Sequence, residues 1–283
     1  MKLSTLIDAQ TLSARIAAGD VLVVDCRFEL ADPRRAARDH AQGHIPGAVY
    51  ANLDDDLSDL SKQNLGRHPL PDAAAFSATL SRWGWTQDTP VVAYDAANGA
   101  LAAARLWWML RLMGAREAAV LDGGIAAWTR AGFALDASVV RREPTRVDVV
   151  YDPAQIVYTD VLVEALKDAR TLLVDARAAP RYRGENETLD KVAGHIPGAA
   201  NRPFADNLDA DGHFKPAAQL RSEFAAMLGS HRPTDTIHSC GSGVTACHNL
   251  LAMEHAGLAG SRIYAPSWSG WIADPKRPVA TNA

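Results

Sequence analysis

Strands alternating with helices, twice over, predict an α/β fold built from two tandem domains, each a mainly parallel sheet flanked by helices. Three observations carry this expectation. Short apolar runs such as Val21-Leu22-Val23-Val24 and Thr171-Leu172-Leu173-Val174 suit strands buried on both faces of a parallel sheet. Segments rich in Ala and Leu, long enough for helices, lie between such runs. The chain also repeats itself. Val21-Leu22-Val23-Val24-Asp25-Cys26-Arg27 returns at an offset of 150 as Thr171-Leu172-Leu173-Val174-Asp175-Ala176-Arg177. Gly43-His44-Ile45-Pro46-Gly47-Ala48 returns at 151 as Gly194-His195-Ile196-Pro197-Gly198-Ala199. Two matches in the same order indicate a duplicated domain, because a solenoid repeats at a shorter period.

Each half then reads alike. A leading helix (Thr5 to Ala18; Tyr158 to Ala169) precedes the apolar strand that ends in Asp-x-Arg. The Gly-His-Ile-Pro-Gly-Ala segment follows, its glycines and proline marking a loop. A helix comes next (Ala73 to Trp83; Ala217 to Leu228), then a second buried strand (Pro90 to Tyr94; Thr236 to Ser239). After it runs a helix rich in Ala, Leu and Trp in the first half (Leu101 to Met113), matched by Val244 to Ala256 in the second. Gly114 and Gly257, and Trp128 and Trp271, share an offset of 143, which supports the same register. The expected boundaries are a first domain over 1–137, a linker carrying Pro144 and Pro153 over 138–157, and a second domain over 158–283.

Composition excludes several classes. With 283 residues, 48% apolar and 22% charged, the chain is an ordinary globular protein of about two domains. A net charge of −4 offers no basic surface, so nucleic acid is not an expected partner. No apolar run reaches the ~18 residues of a membrane helix, and no signal-peptide core precedes Asp8. Cys26, Cys240 and Cys247 are too few for a disulfide framework, which fits a cytoplasmic location.

The chemistry centres on Cys240-Gly241-Ser242-Gly243-Val244-Thr245-Ala246, a loop between a strand and a helix. Two glycines let the backbone curl so that successive N–H groups point inward, and the helix that follows presents its positive end. Such surroundings favour a nucleophilic thiolate. Asp95 holds the corresponding place in the first half, so the first domain has the frame without the nucleophile.

Rival chemistries are weaker. Phosphoryl transfer on a Cys loop needs a guanidinium six residues on, and position 246 is Ala. His238, Cys240, Cys247 and His248 match no metal-ligand spacing, so no metal is expected. A Cys240–Cys247 disulfide would have to span two helical turns, about 10 Å. No loop residue from Gly241 to Ala246 is charged, so cations for an anionic reactant must come from elsewhere. Arg181 and Arg183, after the Asp175-Ala176-Arg177 strand end, are the candidates. His44 and His195 are twins that suit turn geometry. A second reading has His44, with Asp32, polarising Ser242.

On these residues the chain resembles the tandem-domain rhodanese superfamily of sulfurtransferases. The resemblance rests on Val-Asp-x-Arg and Gly-His-Ile-Pro-Gly-Ala in both halves, on Leu121-Asp122-Gly123-Gly124 with Trp128, and on Ser267-Trp268-Ser269-Gly270-Trp271. The Cys240 loop is similar to that of 3-mercaptopyruvate sulfurtransferases. Mitochondrial-type thiosulfate sulfurtransferases usually carry Arg-Lys at the Gly241-Ser242 positions. The resemblance implies rhodanese-like domains, no cofactor, and attack by Cys240 on a donor's sulfur to leave a persulfide cradled by Gly241, Ser242, Gly243, Val244 and Thr245. A thiol, cyanide or thioredoxin would take the sulfur. Arg181 matches the family arginine that holds the donor's anionic group. The family's second such arginine has no match in Glu187-Thr188-Leu189-Asp190-Lys191, where Lys191 offers a point charge instead. The implied donor is 3-mercaptopyruvate. The alternatives are a thiosulfate:cyanide sulfurtransferase and a persulfide-relay protein with little turnover of small donors.

Overall fold

A computed structural model describes residues 2–148 and 150–281. The residues group into two compact units. One comprises the chain up to Asp59, Leu70–Asp152 and Asp211–His213; the other comprises Leu60–Pro69, Pro153–Ala210 and the chain from Phe214.

The first unit contains β1 (Leu6–Ile7), α1 (Ala9–Ala18), β2 (Leu22–Asp25), α2 (Arg35–Gln42), β3 (Val49–Tyr50), α3 (Ala73–Arg82), β4 (Val91–Tyr94), α4 (Ala102–Leu112), β5 (Ala118–Leu121) and α5 (Gly124–Arg130). Its sheet is wholly parallel, in the order β1-β5-β4-β2-β3. Strands β2, β4 and β5 are buried at every residue, which is why they read as unbroken apolar runs rather than alternating ones. Helix α4 is buried at ten of its eleven residues, so its sequence shows no polar face.

The second unit repeats the plan. It holds β6 (Ile156–Val157), α6 (Thr159–Ala165), β7 (Leu172–Asp175), α7 (Ala179–Tyr182), β8 (Ala200–Asn201), α8 (Ala217–Leu228), β9 (Thr236–Ser239), α9 (Ala246–His255), β10 (Arg262–Tyr264) and α10 (Ser267–Trp271). Its parallel sheet runs β6-β10-β9-β7-β8. The connections leave adjacent strands β9 and β7 in opposite directions, β9 toward β10 and β7 toward β8. Their carboxyl ends therefore open into the crevice where α/β sheets place ligands. Its core gathers Val157, Leu162, Leu173, Tyr182, Ile237, Tyr264 and Trp268. Each large apolar side chain so buried contributes about 1.5–3 kcal/mol.

The first leading helix starts later than the sequence suggests, and the second ends earlier, at Ala165 instead of Ala169. Asp8 caps α1 by accepting the Thr11 N–H at 2.8 Å, and Leu6–Ile7 pair with β5 instead of joining the helix. Ile156–Val157, at the end of the expected linker, pair with β10, and α6 begins at Thr159. Two-residue strands of this kind carry no periodicity of their own. Among the described residues, no helix is long and apolar enough to cross a membrane.

His238, at the centre of β9, is fully buried, and burial pushes its pKa down from 6.5 to about 3. The unfolded chain therefore binds a proton below pH 6.5 that the fold refuses. Stability contributed this way is present above pH 6.5 and falls as the pH drops. Burial opposes ionisation of Glu223, but Arg202, Gln219 and Lys215 hold its pKa at about 2, which adds acid sensitivity at lower pH. Urea unfolding against pH should show stability declining from about pH 6.5 downward, and His238→Asn should flatten the upper part of that decline. An unchanged slope in the variant would assign the effect elsewhere.

Candidate active site

The two repeated motifs are duplicated together because they bond to each other. In the second unit Asp175 closes β7 and grips Arg177, whose Nη2 reaches Asp175 Oδ2 at 2.6 Å and the Gly194 carbonyl at 2.8 Å. In the first unit Arg27 repeats this with Asp25 at 2.6 Å and the Gly43 carbonyl at 2.7 Å. The histidines that follow are turn residues in both units. His195 Nδ1 lies 2.8 Å from the Tyr182 carbonyl and stacks on the Tyr182 ring. His44 Nδ1 lies 2.7 Å from the His40 carbonyl and stacks on His40.

Cys240 follows β9 at the mouth of the crevice and is 1% exposed. The Gly243 N–H donates to its Sγ at 3.1 Å. Gly243 has φ +78°, and a Cβ there would stand 2.2 Å from the Ala265 carbonyl oxygen. Loop carbonyls point the other way: Cys240 and Gly241 accept the Trp268 and Ser269 N–H groups at the start of α10, each at 2.9 Å. Ser267, buried with φ +53°, accepts the Cys240 N–H at 3.1 Å, and its Oγ is 4.0 Å from Sγ. The first unit has Gly124 with φ +56° at the offset-143 position. A left-handed non-glycine residue held beside the Cys240 thiol is strain of the kind that collects at functional sites. Sequence reading passed over Ser267, whose signal was only its place in the Ser-Trp-Ser-Gly-Trp segment.

A ladder of alternating charge runs along one side of the loop. Arg177, which lies 4.9 Å over the Trp268 ring, pairs with Asp175 and, at 3.5 Å, with Glu187. Burial disfavours its charge, but Asp175, Glu187 and Cys240 raise its pKa. Arg181 lays its Nε and Nη2 on Glu187 and reaches Asp190 at 3.1 Å. Glu187 is kept below the usual carboxylate range against the opposing effect of burial, by Arg181 and the Leu189 and Asp190 N–H groups. Arg181 therefore stands beside the loop, as expected, but with one edge of its guanidinium already occupied. Arg183 does not join it: it pairs with Glu185 at the surface. Lys191 is exposed and makes no hydrogen bond or ion pair among the described residues. A long lysine side chain on an exposed turn is drawn to water, so the charge expected of it at the site is supplied otherwise.

Another cation reaches the loop from Leu60–Pro69, a segment to which the sequence assigns no element. Leu60–Pro69 belongs to the second unit and packs against 266–270. Gly66 has φ +93°, and a Cβ there would lie 2.4 Å from the Pro266 carbonyl oxygen. The Arg67 N–H donates to Ser269 Oγ at 2.9 Å. Arg67 Nη1 bonds Asp190 Oδ1 at 2.7 Å, and its Nη2 would be 3.2 Å from a Cβ on Gly241. His68 Nδ1 is 2.9 Å from Ser242 Oγ, both residues being buried. The partner of Ser242 is thus His68 and not His44. His44 lies in the first unit with Nδ1 turned to its own turn, and Asp32 is a half-exposed side chain paired with Arg38. Of the expected cradle residues, Gly243 alone donates an N–H to Sγ; Gly241, Ser242 and Val244 are buried around it and Thr245 is half-buried.

A rhodanese-like domain profile matches residues 8–131 and 159–274. The chain belongs to the rhodanese family. It is 47% identical over its whole length to a probable 3-mercaptopyruvate sulfurtransferase of Pseudomonas aeruginosa, which it also covers completely. It is 39% identical to a putative thiosulfate sulfurtransferase of Mycobacterium tuberculosis, over 97% of this chain and 96% of that one. Among solved structures, the 3-mercaptopyruvate sulfurtransferase of Escherichia coli matches with TM-score 0.81 and 30% identity, over 94% of this chain and 100% of that one. The Leishmania major enzyme of the same name gives TM-score 0.84 at 29% identity, over 95% of this chain and 74% of that one.

Of the two rhodanese repeats, the first shows what the loop does to an anion. Asp95 is fully buried where the second repeat has Cys240. Its Oδ1 accepts the Ala97 and Gly99 N–H groups at 2.8 Å, and its Oδ2 those of Leu101 and Ala103 at 3.1 and 3.2 Å. Burial pushes its pKa up, and these four N–H groups oppose that. A rhodanese loop of this design gathers backbone dipoles around one negative atom group. Among the described residues no cluster of three or more His, Cys, Asp or Glu is arranged to hold a metal.

Proposed function

We propose that 3-mercaptopyruvate is the sulfur donor of this sulfurtransferase and that Cys240 carries the sulfur as a persulfide. The observation that carries the donor assignment is the Ser242–His68 pair, 2.9 Å apart and buried beside the nucleophile. Attack by the Cys240 thiolate on the donor's sulfur forms an S–S bond and breaks the C–S bond. The electron pair moves to the methylene carbon and delocalises as the enolate of pyruvate, which must gain a proton. The donor's own thiol proton balances this if a hydroxyl–imidazole pair relays it, leaving pyruvate and an anionic persulfide. Sulfite leaving from thiosulfate needs no such proton. The terminal sulfur's charge is then received by loop N–H groups, as Asp95 is received in the first repeat. A thiol, cyanide or thioredoxin acceptor takes the sulfur in a second half-reaction, a ping-pong scheme.

Ser242→Ala separates the two donors. It should lower kcat with 3-mercaptopyruvate by about 10²-fold and leave thiosulfate turnover within a few-fold, because only the first needs the proton. Equal losses with both donors would remove the basis for the assignment.

A further inference from the structure

We propose that Arg67 is the second anion-binding residue of the donor site, holding the donor's carboxylate above Gly241 while Asp190 orients it. This rests on reading Cys240 as the persulfide-forming nucleophile and goes beyond it by assigning the subsite. The family resemblance points to an arginine in the 187–191 stretch, which has none. The second guanidinium is instead Arg67, delivered by Leu60–Pro69 within the same unit as Cys240.

The bonding pattern of the two arginines points to an anion subsite. The Asp190 side chain is 3% exposed and bridges them, Oδ1 to Arg67 Nη1 at 2.7 Å and Oδ2 to Arg181 Nη2 at 3.1 Å. Glu187 occupies the Nε–Nη2 edge of Arg181. Arg67 is different. Its Nε is buried without a hydrogen bond, and its Nη2 makes none among the described residues. The Nε–Nη2 edge is the fork that receives a carboxylate through two parallel bonds. Arg67 Nη2 and Arg181 Nη1 would lie 3.2 and 3.7 Å from a Cβ on Gly241, so the open donors of both residues converge over the loop. Asp190 bonds Arg67 on Nη1, away from its Nε–Nη2 edge, and Arg181 on Nη2, so one carboxylate ties the two guanidiniums together. A 2-oxo carboxylate fits this arrangement. Its monoanion meets one open fork, while the bridging carboxylates leave the ladder without the excess positive charge that a dianion would reward.

The test compares donor loading of wild type, Arg67→Gln, Arg67→Lys and Asp190→Asn with 3-mercaptopyruvate. It adds calorimetric titration of pyruvate, as the carboxylate probe, into Cys240→Ser and Cys240→Ser/Arg67→Gln. Arg67→Gln should raise KM about 10- to 100-fold with kcat little changed, the loss expected of charge-assisted hydrogen bonds. Arg67→Lys should recover only part, since an ammonium cannot form the fork. Asp190→Asn should raise KM by a smaller factor, and pyruvate affinity should fall with Arg67→Gln. Release of sulfur from preloaded enzyme to a neutral thiol such as 2-mercaptoethanol, a step with no small anionic substrate, reports structural damage. An unchanged KM and pyruvate affinity in Arg67→Gln, or equal losses in loading and release, would overturn the assignment. A lower KM in Asp190→Asn would show that Asp190 competes with the donor instead of orienting Arg67. A wild type that ignores 3-mercaptopyruvate would defeat the donor assignment alone, because pyruvate binding still tests Arg67.

Discussion

Cys240→Ser should lose sulfur transfer from 3-mercaptopyruvate and thiosulfate alike, by about 10⁴-fold or more in kcat, the scale on which removal of an attacking nucleophile is felt. The replacement is close to isosteric, so the loop should persist. Cys240 makes its backbone contacts through N–H and carbonyl, to Ser267 Oγ and the Trp268 N–H, and neither involves sulfur. The hydroxyl would still meet the Gly243 N–H. Loss of turnover with unchanged unfolding would therefore report chemistry and not collapse. Intact-mass measurement after donor treatment checks the same point. Wild type should gain one sulfur atom and the variant none. A persulfide found on Cys26 or Cys247 in the variant would defeat the mechanism. Both side chains are buried, and burial with nearby carboxylates raises the Cys26 pKa well above its ordinary value, which makes that thiol a poor nucleophile.

The cysteine loop and its frame were legible because they are local. A strand of four apolar residues, a Gly-x-Gly turn and a helix are contiguous in sequence, and the internal repeat marked both copies. The reason for the repeat needed the structure: Asp175, Arg177 and the Gly194 carbonyl form one bonded unit, as do Asp25, Arg27 and the Gly43 carbonyl. Arg67 and His68 were not legible. Ser242 and His68 are 174 residues apart in sequence, and nothing in Leu65-Gly66-Arg67-His68-Pro69 shows that the segment leaves its own unit. His44 was the more visible histidine because it sits in a repeated motif, but repetition there reflects a shared turn. One signal was available. Gly212-His213 in the second half echoes Gly66 and His68, and Asp211–His213 is likewise grouped with the opposite unit. A His within two residues of a Gly in both halves is a weak pattern by itself, since loop histidines are common.

The two loop glycines should respond very differently to alanine, although the sequence presents them as a pair. Gly243→Ala demands a positive φ from a residue with a Cβ and drives that atom to 2.2 Å from the Ala265 backbone oxygen. Backbone cannot swing aside as a side chain can, so α10 or the loop must move. The expected cost is about 3 kcal/mol or more in unfolding free energy. Activity should fall with it, because the Gly243 N–H is the donor aimed at Sγ. Gly241→Ala meets no positive φ, and its nearest neighbours are the tips of Arg67 and Arg181 at 3.2 and 3.6 Å. Those tips can yield, so unfolding should change by less than about 1 kcal/mol. The new methyl would instead occupy the space where the donor's carboxylate is held, and KM should rise with kcat less affected. Chemical denaturation and donor kinetics on the two variants check both halves. Equal destabilisation would mean that Gly241 is a folding residue. A stable Gly243→Ala with full activity would mean that the loop does not present its amide to the sulfur.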